Sequence, residues 1–333
     1  MIPFDPELTP GARNAVRICL RVQPQEKVTV ITDTVSREIA AALEAALAEI
    51  GAPYRTFVLE ECAPRPLEAM PRVVLDDMES SQVSIFAVVA QRNELRSRMQ
   101  MTDVVNRRKI RHAHMVNIEK RIMLEGMRAD YLAVDDLSLR LLDITRPAKQ
   151  IRATNAAGTD IVATMNPDYK WLKTSGIISE NTWGNLPGGE VWTTPGEVNG
   201  TFVVDGVVGD YLCAKYGDLA ATPLILRIEG NRLKEAHCAD KELEEEFWKY
   251  THTDENSDRV GEFAIGTNLG VRDVIGNILQ DEKIPGVHIA FGNPYGDHTG
   301  AQWYSSTHID VVGRRFTIQA DDRLIMRAGE FLL

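Results

Sequence analysis

Glu26-Lys27-Val28-Thr29-Val30-Ile31-Thr32 is a β-branched run that follows the turn-prone Gln23-Pro24-Gln25, and a helical pattern succeeds it at once. Such a run reads as a buried strand. Ile39, Leu43, Leu47 and Ile50 then recur at helical spacing, with Ser36 where an N-cap belongs and Gly51 where a C-terminus needs a left-handed residue. This is a β-α unit, and the chain repeats it. Thr56-Phe57-Val58-Leu59, Ser84-Ile85-Phe86-Ala87-Val88-Val89 and Met115-Val116-Asn117-Ile118 read as strands, separated by helical stretches near 66–79, 94–108 and 129–144. The alternation predicts an α/β domain with a mostly parallel, helix-covered sheet. The loop Thr32-Asp33-Thr34-Val35-Ser36 has no glycine, so the phosphate cradle of a dinucleotide-binding fold is not expected.

Near residue 146 the pattern changes. Arg146-Pro147 ends the last helix, and Ile151 to Thr164 reads as a hairpin around Ala156-Ala157-Gly158. Short strands and Gly, Asn, Asp and Pro turns follow, with one acidic helix from Lys241 to Tyr250. The expected organisation is a Rossmann-like α/β domain over 1–147 and an α+β metal-binding domain over 148–333.

The balance of 37 basic and 48 acidic residues, a net charge of −11, has the wrong sign for a protein that binds nucleic acid by neutralising phosphates. The basic run Arg107-Arg108-Lys109-Ile110-Arg111-His112 reads as a solvated helix face. No apolar run is long enough to span a bilayer, and Met1-Ile2-Pro3-Phe4-Asp5 lacks the start of a secretory signal, so a cytoplasmic protein is expected. Cys19, Cys62, Cys213 and Cys238 form no CxxC pair and read as reduced thiols.

The chemistry gathers in four segments of the second half: Leu186-Pro187-Gly188-Gly189-Glu190-Val191, Val260-Gly261-Glu262-Phe263-Ala264-Ile265-Gly266-Thr267-Asn268, Val287-His288-Ile289-Ala290-Phe291-Gly292-Asn293-Pro294-Tyr295, and Ser306-Thr307-His308-Ile309-Asp310-Val311-Val312. Taken singly, Glu190 reads as a turn residue, Glu262 as a strand pair or cap, and His288 as a core histidine. His308 and Asp310, two apart on a strand, leave the same face while Ile309 and Val311 leave the other. An imidazole and a carboxylate directed inward cost several kcal/mol, on the order of a buried charge, unless paired or metal-bound.

In order and local sequence these segments resemble the metallo-aminopeptidases of the aminopeptidase T and aminopeptidase S family, whose pattern is PxGEV, GExxxGxN, HxAxGxxY and HxD. The resemblance implies that Glu190, Glu262, His288, His308 and Asp310 hold two divalent ions and that Tyr295 sits at the catalytic centre; mixed imidazole and carboxylate ligands accept zinc, cobalt or manganese, and among the carboxylates Glu262 is the first candidate to handle the proton. It further implies a homodimer acting on a peptide or small amide. Three carboxylates and two imidazoles are too many for one tetrahedral zinc and suit two ions roughly 3.5–4 Å apart. Trp183, Trp192 and Trp303 lie close to these motifs in sequence and are candidates for lining a side-chain pocket. The HxD segment is also similar to that of the 2,5-dihydroxypyridine 5,6-dioxygenases, which hold one Fe(II) by that His, that Asp and a further His. That further His falls where this chain has Glu262, so the ligand set favours hydrolysis. A non-enzymatic relative is expected to show gaps in the set, and the sequence has none.

Overall fold

The computed structural model describes residues 2–209 and 211–333. It divides into two compact units, the first running to Leu132 and taking back Gly176–Gly188, the second comprising Ala133–Ser175 and Gly189–Leu333.

In the first unit, strands β1 (Val28–Thr32), β2 (Tyr54–Val58), β3 (Val83–Val88) and β4 (Arg111–Val116) form an all-parallel sheet in the order β2-β1-β3-β4. The short strand Gly184–Asn185, eighth in chain order and hence β8, completes it next to β4. β1 is buried along its whole length, as its β-branched run demands. The helix Arg37–Ile50 follows and ends on Gly51 at φ 74°. The Ser36 hydroxyl does not cap this helix. Asp33 instead accepts the Ser36 N–H at 2.7 Å, and the hydroxyl is buried without a partner. β4 also starts earlier than the apolar run 115–118 suggested, so His112 and His114 are buried strand residues, and His112 is not part of a solvated basic face. The loop after β1 is braced by the Arg65 guanidinium, which reaches Asp33 at 3.0 Å, Glu94 at 2.8 Å and the Val89 carbonyl at 2.7 Å.

The second unit contains the helix Tyr131–Thr145 from Ala133 onward, so its start differs from the boundary expected at 147. The reason is packing: Leu137, Leu141 and Leu142 belong to the second unit's core. Strands β5 (Gln150–Thr154) and β6 (Asp160–Thr164) make the expected hairpin. With β10 (Glu197–Val204), β11 (Leu224–Glu229), β12 (Arg232–His237), β16 (Thr317–Ala320), β17 (Arg323–Arg327) and β18 (Glu330–Phe331) they form one antiparallel sheet. The other sheet has the order β15-β14-β13-β9-β7, from β7 (Leu172–Lys173), β9 (Glu190–Thr193), β13 (Val260–Gly266), β14 (Gly286–Gly292) and β15 (His308–Val312), and is antiparallel throughout. The acidic helix spans Lys241–Tyr250 and is capped by Asp240. Among the described residues no helix is long and apolar enough to cross a membrane.

Candidate metal centre

The second of these sheets has two unlike faces. Directly opposed residues of antiparallel strands share a face, and the register places Val191, Ile265 and Val287 in one row, Phe263, Ile289 and Val311 in the next, and Phe291 with Ile309 in a third. All are buried in the unit's core. The residues between them point the other way: Glu190 lies across from Gly266, His288 from Ala264, Asp310 and Glu262 from Ala290, and His308 from Gly292. Alanine and glycine between the charged side chains leave room above the sheet.

Glu262 reaches this face through a bulge at Gly261, where the register of β13 shifts. A Cβ on Gly261 would lie 2.5 Å from the Gly292 carbonyl oxygen, so only glycine lets the two strands close here.

The polar side chains converge. His288 Nε2 lies 3.4 Å from Glu190 Oε2 and 3.5 Å from Glu262 Oε1, while His308 Nε2 lies 3.5 Å from Glu262 Oε2 and 3.4 Å from Asp310 Oδ1. These separations exceed charge-assisted hydrogen bonds, typically about 2.7–2.9 Å. They fit two ligands of one tetrahedral ion, since bonds of about 2.1 Å put neighbouring donors about 3.4 Å apart. The ring of His308 is fixed from behind, its Nδ1 lying 3.0 Å from the Asn293 carbonyl, which accepts its proton and leaves Nε2 free to face the carboxylates.

Two residues join the site that motif reading passed over. Glu282 follows the short helix Ile278–Asp281, and its carboxylate groups with His288 and Asp310 much as Glu190 and Glu262 group with His288. Lys283, 1% exposed, places Nζ 2.6 Å from Glu190 Oε1 and 2.5 Å from Glu282 Oε1. In sequence the pair reads as a polar turn before β14. It turns inward because Gly266 admits the following backbone, a Cβ there standing 2.0 Å from the Ile284 carbonyl oxygen.

Four carboxylates against one ammonium leave the donor cluster three negative charges with both histidines neutral. The ionisation of each group reflects this excess. Burial alone would lower both histidines, yet Glu262 and Glu190 raise His288, and Tyr295 and Asp310 raise His308 well above its ordinary value. Burial pushes Glu282 up to about 7 against the pull of Lys283. Burial acts in the same direction on Glu190 and Asp310, but Lys283 and His288 in the first case, and His308 in the second, hold them below the usual range. A cluster of hard oxygens and imidazoles with this charge suits divalent cations.

Tyr295, at φ 49° before the turn of helix Gly296–Thr299, lays its ring 4.6 Å from that of His308 and 5.9 Å from that of Trp192, and is 42% exposed. His308 draws its phenol down, but burial and the neighbouring carboxylates outweigh this and raise it. Of the other tryptophans, Trp303 lies under the Arg259 guanidinium, whereas Trp183 packs against His112 and His114 in the first unit.

No curated protein matches the chain in sequence. Solved structures that share its fold include two of nearly the same extent. Wild-type AmpT from Thermus thermophilus is 16% identical, with a TM-score of 0.72 over 98% of this chain and 99% of that one. A 2,5-dihydroxypyridine dioxygenase from Pseudomonas putida is 15% identical, with a TM-score of 0.70 over 98% of this chain and 96% of that one. The profile of the family described as "Thermophilic metalloprotease (M29)" matches residues 142–331, a span that holds every residue of the centre. By that match the chain belongs to the thermophilic metalloprotease (M29) family.

Proposed function

We propose that this protein is an aminopeptidase-type hydrolase that uses two divalent ions, zinc, cobalt or manganese, to release an N-terminal residue from a peptide or a small amide. Glu262 is the observation that carries the reading, because its two oxygens face two different imidazoles. A carboxylate so placed suits a bridge between two cation positions, one bordered by Glu190 and His288, the other by His308 and Asp310. Ions held there would supply Lewis acidity for the scissile carbonyl and an acidified water.

The side chains divide the remaining work. Tyr295, kept protonated at neutral pH, would donate a hydrogen bond from its hydroxyl to the developing oxyanion. Trp192 and Tyr295 form an aromatic wall beside the centre that suits the substrate's side chain. A mononuclear Fe(II) centre of the dioxygenase type would require an imidazole where Glu262 stands.

The test is metal content together with turnover: elemental analysis of protein purified without chelator, and anaerobic assay of aminoacyl amides with zinc, cobalt or manganese. About two ions per chain and oxygen-independent cleavage, lost in Glu190→Ala, are expected. A single iron, oxygen uptake with a dihydroxylated ring and no amide cleavage would overturn the reading.

A further inference from the structure

We propose that Lys283 is a positioning residue of the metal centre, holding Glu190 and Glu282 each by one oxygen so that each offers its other oxygen to a cation. The proposal rests on the two-ion reading above. An ammonium has no lone pair and cannot itself be a ligand, and burying one is costly unless it is closely paired. Lys283 is paired twice, to Glu190 Oε1 at 2.6 Å and Glu282 Oε1 at 2.5 Å. The Thr174 hydroxyl donates to the same Glu190 Oε1 at 2.6 Å. That oxygen is thereby occupied, and the remaining one, Oε2, is the one that faces His288. Lys283 therefore joins the two groups of donors from outside, since Glu190 clusters with Glu262 and His288, and Glu282 with His288 and Asp310. Its own backbone is held at both ends, the N–H donating to the Gln280 carbonyl at 2.8 Å and the carbonyl accepting from Asn268 N–H at 3.1 Å.

The direction of the effect on metal affinity separates this role from simple charge balance. A lysine that only balanced charge would repel the incoming ions, so its removal would tighten binding; a lysine that holds two ligands in place would loosen it on removal.

The experiment uses the full chain and Co(II) alone, with affinity measured by competition against a chelator, coordination by the visible absorption of bound Co(II), and folding of the apoprotein by circular dichroism. Lys283→Met is expected to bind Co(II) about 10- to 100-fold more weakly, with an altered spectrum. Unchanged or tighter binding in folded Lys283→Met would overturn the proposal. If that variant does not fold, Lys283→Arg keeps the charge and displaces the donors. It is expected to bind more weakly with a shifted spectrum, and wild-type affinity and spectrum would overturn the positioning role. Wild-type protein that takes up no Co(II) would remove the two-ion reading itself, independently of what either variant does.

Discussion

Lowering the pH from about 7.5 to about 5 should destabilise the first unit by about 2 kcal/mol through His114 alone. The ring is buried on β4, stacked on Phe86 with centroids 5.2 Å apart and 5.5 Å from Trp183, and its Nδ1 lies 3.2 Å from His112 Nε2. Burial, then the charge of Arg98, hold its pKa at about 3. Unfolded, the same imidazole titrates near its ordinary value of about 6.5. The unfolded chain thus binds the extra proton first. The stability contribution is complete above about pH 6.5 and drains as pH falls toward about 3, at about 1.4 kcal/mol per unit, so that 1.5 units below about 6.5 cost about 2 kcal/mol. His112, also lowered by burial, adds in the same direction. Trp171, Trp192, Trp248 and Trp303 of the second unit emit together with Trp183, so urea unfolding is followed by circular dichroism and read as the difference between variants. Wild type should lose about 2 kcal/mol more than His114→Phe between the two pH values. Equal losses would show that His114 is not held neutral by burial.

Other perturbations separate the parts of the molecule. Tyr295→Phe should lower kcat by about 10²–10³-fold with little change in KM, the size of one lost oxyanion donor; because Tyr295 is 42% exposed, thermal stability should stay put. Gly266→Ala forces a Cβ to within 2.0 Å of the Ile284 carbonyl oxygen, and should cost about 1–3 kcal/mol in denaturant unfolding and also weaken cobalt binding, since the same backbone carries Glu282 and Lys283. Arg65→Met strands the buried carboxylates of Asp33 and Glu94, a loss of about 3–5 kcal/mol, while the cobalt content of the folded fraction should be unchanged.

What could be read from the sequence follows from how local its physics is. β1 and its helix were legible because a β-branched run and a 3.6-residue repeat are complete within one stretch of chain. β4 was misplaced because Arg111, His112 and His114 hide a buried strand behind polar letters, and only the neighbouring Ser84, Phe86 and Trp183 make that burial tolerable. The helix Tyr131–Thr145 looked like the end of the first domain because adjacency in sequence says nothing about where Leu137, Leu141 and Leu142 pack. The five motif residues lie on alternating strand positions, a pattern that sequence displays directly. Glu282 and Lys283 sit on no strand, and what turns them inward is the contact of their backbone with Gly266, which is tertiary and leaves no periodic trace.

The two faces of the sheet that carries the candidate metal centre are one alternating pattern seen from opposite sides, and that links assembly to the proposed function. A slip of β15 by a single residue against β14 would exchange His308 and Asp310 with Ile309 and Val311, breaking the cluster and the core in the same event. If the cluster binds cations as proposed, their uptake would proofread strand pairing: only a correctly registered chain would capture the ions, and capture would bias the population toward that register. Metal supplied during refolding should accordingly raise the yield of native protein more than the same metal added afterwards.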